Sequence, residues 1–251
     1  MMPEDTPLLP EMADLWQPTL NWQPSSEQQY QFQRLYELIL EGNRQLNLTR
    51  ITEPLEFWEK HLWDSLRGIV SLLKDKDTID SSFKVIDIGT GAGFPGIPVA
   101  IALTGAAVTL LDSTRKKITF LETLLAELTL ENVTTLTGRA EIVGKQPQHR
   151  QSYNIALVRA LGPASACAEY AFPLLKVGGL AILYRGHWTD GETEALQSAV
   201  EALGGVIESV EGFTTPLSDS VRHCLYLQKV AQIPAAPRLV GVPIQVKKQL
   251  G

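Results

Sequence analysis

Residues 85–98 read VIDIGTGAGFPGIP, and this short stretch decides the fold class. An apolar, β-branched run that contains Asp87 leads into glycines at positions 89, 91, 93 and 96. A buried strand followed by a glycine-rich turn and a helix brings backbone N–H groups close to a bound ligand. The stretch therefore predicts the first strand, turn and helix of an α/β ligand-binding domain.

From residue 83 onward, strand patterns alternate with helix patterns. We predict strands in FKVIDIG, AAVTLLD, NVTTLTGRA, SYNIALVRAL, GGLAILYRG and RHCLYLQK, with amphipathic segments between most of them. Strands separated by helices are typical of a mostly parallel sheet with helices on both faces. The fold class predicted from the pattern is therefore α/β.

The chain divides into three predicted regions. Residues 1–25 contain five prolines and little periodicity, which predicts an extended, poorly ordered arm. Residues 26–82 predict a helical cap and a polar linker, with Ser25 or Ser26 as the first N-cap and Pro54 in the first turn of a second helix. Residues 83–251 predict the α/β domain, which ends after Val230 in an irregular strap.

Composition excludes several classes of protein. No run approaches the roughly 18 apolar residues of a membrane span, and the acidic, proline-broken N-terminus is unlike a signal or transit peptide. The two cysteines are far apart without metal-ligand spacing, so we expect no metal site and no disulfide. A net charge of −6 argues against general nucleic-acid binding but permits a local basic patch. We expect a cytoplasmic protein.

The glycine loop limits the possible ligands. No lysine follows the glycines, so the loop is not a triphosphate-binding P-loop. Gly91, Gly93 and Gly96 match the pattern GxGxxG, and Asp112 closes the next predicted strand, where a carboxylate can accept ribose hydroxyls. Both features suit NAD and S-adenosylmethionine equally.

Further residues favour S-adenosylmethionine over NAD. Asp87, two residues before Gly89, would attract a cationic amine and repel a pyrophosphate. Glu141 follows the third strand, where its carboxylate can accept from an adenine amino group beside the Ala140 backbone. Arg159 ends the fourth strand, at the edge where open sheets bind ligands. No Tyr-x-x-x-Lys pair supports hydride transfer by a reductase.

The methyl acceptor is constrained by missing motifs. The chain lacks the [DNS]PP[YFW] tetrapeptide of exocyclic amino methylation, and Cys167 lacks the preceding proline of cytosine C5 methylation. A ring nitrogen such as guanine N7 carries a free lone pair and needs no general base. N7 chemistry is therefore compatible with the sequence without being required by it.

Longer motifs identify a resemblance to a known family. They are NRQLNLTRI, HLWDSL, VIDIGTGAGFPGIPVAIA, LLDSTRKKITFLE, GRAE, VRAL and RHCLYLQK. Over about residues 28–251 the chain resembles the bacterial small-subunit ribosomal RNA guanine-N7 methyltransferases, also called the glucose-inhibited division protein B family. The resemblance implies a class I, Rossmann-like S-adenosylmethionine methyltransferase with an N-terminal helical cap.

The resemblance also implies a substrate and a partner. The substrate would be a guanine in the 530 loop of 16S rRNA, within the small ribosomal subunit or its precursor, and we expect the enzyme to be a monomer. Two alternatives remain open. The protein could methylate a small molecule, or it could be a ribosome-assembly factor without turnover.

Site residues follow from the two lines of reasoning. The resemblance implies that Gly89 and Phe94 line the cofactor pocket, that Ala140 and Glu141 hold the adenine end, and that Arg159 closes the site as its catalytic residue. The loop and ribose patterns complete the predicted cofactor site with Asp87, Gly91, Gly93 and Asp112.

Other polar residues receive open interpretations. We interpret His61 and Asp64 as part of a hydrogen-bond network between cap and α/β domain, with substrate contact as the alternative. Arg185 stands in LYRG where the family commonly has LKG, which suggests an RNA contact. The run RKK at 115–117 is either part of a phosphate-facing rim or a solvated helix face.

Overall fold

The structure, a computed structural model that describes residues 7–232, is built around one seven-stranded sheet. The strands are β1 (Lys84–Ile88), β2 (Ala107–Asp112), β3 (Val133–Thr137), β4 (Tyr153–Arg159), β5 (Leu175–Arg185), β6 (Gly205–Thr214) and β7 (Val221–Lys229). Their order is β3-β2-β1-β4-β5-β7-β6. The first five strands are parallel, and β7 is antiparallel to both β5 and β6.

Helices precede the sheet and connect its strands. Those before β1 are α1 (Ala13–Leu20), α2 (Ser26–Leu46), α3 (Pro54–Phe57), a π-helix (Trp58–Trp63), α4 (Asp64–Arg67), α5 (Val70–Lys74) and a short 3₁₀ turn (Lys76–Thr78). Those after β1 are α6 (Gly96–Ala102), α7 (Arg115–Leu128), α8 (Ala140–Val143), α9 (Ala164–Ala171) and α10 (Asp190–Ala202).

The two faces of the sheet are covered by different helices. Side chains alternate between faces along a strand. In β1, Val85 therefore joins a core that includes α6, α7 and the cap, whereas Ile86 and Ile88 join a core that includes α8, α9 and α10. The cap thus shares one continuous hydrophobic core with the sheet.

The prediction that residues 1–25 form an extended, poorly ordered arm is wrong for residues 13–20, which form α1. Trp16 is fully buried, and its ring centroid lies 4.8 Å from that of Trp58 and 5.7 Å from that of Trp22. Burial of a large aromatic ring outweighs the cost of Pro18 within the helix. Residues 1–6 of the predicted arm lie outside the described range.

The cap is helical over most of the predicted region. Ser25, one of the two predicted N-caps, accepts from the Gln28 N–H, and the Gln28 side chain accepts from the Ser25 N–H, which completes a capping box. Pro54 begins α3, as its fixed φ predicts. The π-helix follows, and the Asp64 N–H donates to the carbonyl of Glu59, five residues earlier.

The β6–β7 hairpin was only half predicted. The sequence pattern predicts β7 but not β6. Strand β6 lies at the edge of the sheet, most of its residues are exposed or half-buried, and its sequence contains no continuous apolar run. The buried Glu59 carboxylate accepts from the N–H groups of Leu217 (2.6 Å) and Ser218 (2.9 Å), which ties the hairpin loop to the cap. The predicted C-terminal strap lies largely outside the described residues, which end at 232.

Two features are absent from residues 7–232. None of the helices in this range is long and apolar enough to cross a membrane. The same range contains no group of three His, Cys, Asp or Glu side chains arranged to hold a metal ion.

Replacing Trp16 with alanine tests whether α1 is part of the core. We expect Trp16→Ala to lower the free energy of unfolding by about 3–5 kcal/mol, because a fully buried aromatic ring leaves a cavity. Urea unfolding measures the change. Leu8→Ala is the matched control, since Leu8 lies in the same segment and is 78% exposed. Equal, small effects of both substitutions would contradict the packing of α1.

Candidate active site

A cavity of about 520 Å³ opens at the carboxyl ends of β1, β2, β3 and β4. This volume is within the range of small-molecule sites. Its wall contains seven of the predicted site residues, namely Gly89, Gly91, Phe94, Asp112, Ala140, Glu141 and Arg159. The structure does not place the other two, Asp87 and Gly93, on this wall. Sequence patterns missed the cap residue Leu48, which also lines it.

Two glycines of the loop after β1 have left-handed backbone conformations that the site requires. Gly89 has φ +72°, and a Cβ there would lie 2.5 Å from a methyl carbon of Leu161. Gly91 has φ +60°, and a Cβ there would meet no atom closer than 3.9 Å. Gly89 therefore permits close packing against the loop after β4, whereas Gly91 exposes backbone to the cavity.

Asp87 lies beneath the glycine loop and is fully buried. Its Oδ2 accepts from the Thr90 hydroxyl (2.6 Å) and from the Gly96 N–H (2.8 Å). Its Oδ1 is buried and has no hydrogen-bond partner among residues 7–232. Burial raises the pKa of this carboxyl to about 6, although the two hydrogen bonds act in the opposite direction.

Asp112 connects the loop after β2 to the glycine loop. Its Oδ2 accepts from the Gly91 N–H at 3.0 Å, and its Oδ1 accepts from the Thr114 N–H at 2.8 Å. The residue is 7% exposed and lies on the cavity wall. The carboxylate is therefore fixed in position where a ligand's hydroxyl groups can reach it.

The loop after β3 supplies the wall beyond Asp112. Arg139 Nε donates to Glu141 Oε1 at 2.6 Å, and both residues line the cavity with Ala140. Tyr170, on α9, also lines it. No pattern in the sequence marks Tyr170, because its place on the wall depends on how α9 packs against the sheet.

The three residues of RKK separate in the structure. Arg115 and Lys116 are exposed, whereas Lys117 lies on the cavity wall. Lys117 Nζ is 4.0 Å from Asp112 Oδ2. This residue therefore belongs to the cavity, and its two neighbours remain available to a partner outside it.

Arg159 reaches from the end of β4 to the cap. Its Nη1 donates to the Lys60 carbonyl at 2.8 Å and to Asp64 Oδ2 at 3.3 Å. Its Nη2 lies 3.3 Å from His61 Nδ1, and its guanidinium carbon lies 5.8 Å from the centre of the Phe94 ring. The predicted cap-to-domain network through His61 and Asp64 is confirmed by these contacts, and His61 also lines the cavity.

Arg185 makes its hydrogen bonds within the protein. Its Nη1 donates to the Gly162 carbonyl at 2.8 Å, and its Nη2 donates to Cys167 Sγ at 3.3 Å. This orientation stabilises the turn between β4 and α9. The RNA contact suggested for Arg185 therefore gains no support from its position.

Comparisons with known proteins identify the family. A family model described as rRNA small subunit methyltransferase G matches residues 28–224. Proteins named ribosomal RNA small subunit methyltransferase G from Nostoc punctiforme and from a second Nostoc strain are 67% and 64% identical to this chain. Each alignment covers 96% of this chain and 98% of the relative.

Solved structures support the fold alone. The antibiotic-resistance methyltransferase Kmr superposes with a TM-score of 0.50 and 16% identity, over 63% of this chain and 92% of that one. The predicted class I methyltransferase fold is confirmed by this likeness and by the sheet order. Given its match to the family model and to these relatives, the chain belongs to the rRNA small subunit methyltransferase G family.

Proposed function

We propose that this protein transfers a methyl group from S-adenosylmethionine to N7 of a guanine in the 530 loop of 16S rRNA. Family membership is the observation that carries the proposal, because the matched residues 28–224 include the four strands whose ends form the cavity. Methylation of small-subunit rRNA comes from the family; the choice of N7 rests on the resemblance and on the chemistry of the wall.

The residues of the cavity fit S-adenosylmethionine. The Asp87 carboxylate, buried beneath the loop and behind the cavity wall, places negative charge there, which favours a cationic ligand over a pyrophosphate. Asp112 would accept from the ribose hydroxyls, and Ala140 and Glu141 would hold the adenine. When bound, the cofactor supplies a methyl group on a positively charged sulfur.

An acceptor with its own lone pair suits this wall. His61 is the imidazole on the described wall, and its Nδ1 faces a guanidinium 3.3 Å away. Asp112 already accepts from two backbone N–H groups. Neither group is therefore free to remove a proton from the acceptor, and guanine N7 carries no proton to remove.

Arg159 closes the proposed site beside Phe94. We assign it the catalytic role because its guanidinium lies on the cavity wall and is held by two groups of the cap, Lys60 and Asp64. A fixed guanidinium can donate to guanine O6, to a phosphate or to the cofactor carboxylate. Bidentate binding to O6 and N7 is excluded, since it would block the attacking nitrogen.

We infer that the substrate is the rRNA within the small ribosomal subunit or its precursor. The exposed Arg115 and Lys116, with Lys117 and Arg139 on the cavity wall, form a basic rim suited to RNA phosphates. We also infer a monomer that acts in the cytoplasm, where small subunits are assembled.

Methyl transfer to two substrates tests the proposal. The wild-type protein would be incubated with labelled S-adenosylmethionine and either small subunits lacking the modification or naked 16S rRNA. We expect label in 7-methylguanosine from the 530 loop, with the subunit as the better substrate. Label in another nucleoside would contradict the N7 assignment, and cofactor binding without label in either RNA would favour a small-molecule enzyme or an assembly factor.

Removing the Asp112 carboxylate should weaken cofactor binding. We expect Asp112→Ala to cost about 1.5–3 kcal/mol of binding free energy, the usual worth of a charge-assisted hydrogen bond. Calorimetric titration with S-adenosylmethionine measures the loss. Asp75→Ala, at an exposed acidic position, serves as control. An unchanged Kd for the Asp112 variant would remove this residue from the cofactor site.

Salt should weaken binding to the small subunit steeply. If the four residues of the basic rim each neutralise one phosphate, a plot of the logarithm of the association constant against the logarithm of the salt concentration should have a slope of about −3. Filter binding over a salt series gives the slope, and Arg115→Ala should make it shallower by about one. A flat response would contradict the rim.

A further inference from the structure

The guanidinium of Arg159 contacts three groups of the cap that lie within five residues of one another. They are the Lys60 carbonyl, the His61 ring and the Asp64 carboxylate. The side chain of Arg159 is 17% exposed and that of Asp64 is 8% exposed, so this pair is largely removed from water. The arginine therefore depends on the cap for its orientation on the cavity wall.

Contact with Arg159 determines which nitrogen of His61 carries the proton. A guanidinium has donors only, so His61 Nδ1 must accept and the proton must sit on Nε2. Nε2 lies 2.9 Å from Thr49 Oγ1, which can accept that proton's hydrogen bond. The ring is also stacked on Phe94, with centroids 4.2 Å apart and planes inclined by 7°.

We propose that His61 is a positioning residue for rRNA methylation, which holds the Arg159 guanidinium through the unprotonated Nδ1 of a neutral ring. The inference rests on the proposed function and adds a residue to its machinery. The two nitrogens have separate tasks: Nδ1 orients the arginine, and Nε2 anchors the ring to Thr49. Phe94 fixes the plane of the ring between them.

The surroundings keep the ring neutral. Burial lowers the pKa of His61 to about 3, and the positive charges of Arg159 and Lys60 act in the same direction. A protonated ring would have no lone pair on Nδ1 and would repel the guanidinium. Asp64 faces the same arginine and supplies the negative charge that a neutral His61 does not.

The π-helix is consistent with a functional position. It spans Trp58–Trp63, and its wider turn is the place where the Lys60 carbonyl and the His61 ring both face Arg159. Single π turns within α-helical segments are frequent at functional sites. Glu59, in the same turn, holds the β6–β7 loop, so the register of this turn is fixed from two sides.

Two substitutions of His61 separate the tasks of its nitrogens. His61→Asn places an amide oxygen two bonds from Cβ, as Nδ1 is, and keeps an acceptor for Arg159. His61→Gln places its amide one bond farther, near the position of Nε2, and removes that acceptor. We expect His61→Gln to lower kcat about tenfold or more and His61→Asn to stay within about threefold of wild type. Equal losses in the two variants would overturn the proposal.

A double-mutant cycle distinguishes positioning from general destabilisation. If His61 acts through Arg159, adding His61→Gln to Arg159→Ala should change kcat by less than about twofold. Tyr226→Phe is the matched control, because it removes a different bond to the cap, from the tyrosine hydroxyl to the Gly68 carbonyl at 3.1 Å. It should lower the melting temperature and leave kcat unchanged. Additive losses of His61→Gln and Arg159→Ala would overturn the proposal.

Nitrogen NMR of the full chain tests the neutral ring without turnover. The four histidines give separable imidazole signals, and His61 is assigned by the signals that His61→Asn removes. We expect a protonated Nε2 and an unprotonated Nδ1 that do not change from about pH 5 to pH 9. Protonation near the ordinary pKa of about 6.5 would overturn the proposal. Absence of methyl transfer by the wild-type protein would instead reject the proposed function. The NMR spectrum tests the protonation state of His61 whether or not methyl transfer occurs.

Discussion

The buried carboxylate of Asp87 is the constraint on which the cavity depends. One of its oxygens joins both ends of the glycine loop, through the Thr90 hydroxyl and the Gly96 N–H. A carboxylate without a counter-ion is costly to bury, and its pKa is raised accordingly. This acid therefore ties the two ends of the loop together, and its second oxygen, buried beneath the loop, accepts no hydrogen bond from residues 7–232.

The cap and the sheet act as one structure at the site. They share a continuous core, and the cap supplies Leu48 and His61 to a cavity whose other walls are strand ends, the loops that follow them and parts of α7, α8 and α9. Polar contacts also join the cap to the α/β domain, since Arg159 and the β6–β7 loop both bind residues of the π-helix. Substitutions far from the cavity, such as Trp16→Ala, are consequently expected to disturb the positions of the cap residues that line it.

Local patterns predicted the parts of the site that depend on local geometry. The glycine loop, Asp112 at the end of β2 and Glu141 after β3 follow from a strand, a turn and a helix in sequence, so their places on the wall were predictable. Tyr170 and Leu48 reach the wall only through packing between distant elements, which a single sequence does not encode in its spacing. The same reason explains α1, where five prolines in residues 1–25 suggested an extended arm but burial of Trp16 decided the outcome.

The position of β7 has a consequence for synthesis of the chain. Although β7 is the last described strand, it lies between β5 and β6, and β6 pairs with no other described strand. Because synthesis starts at the N-terminus, the five parallel strands and the core of the cap can assemble before β7 exists. During that time β6 has no strand to pair with. The contact between Glu59 and the β6–β7 loop is expected to form only when β7 pairs with β6. The seven-stranded sheet is thus completed only once β7 has been synthesised, although β6 precedes it in the chain.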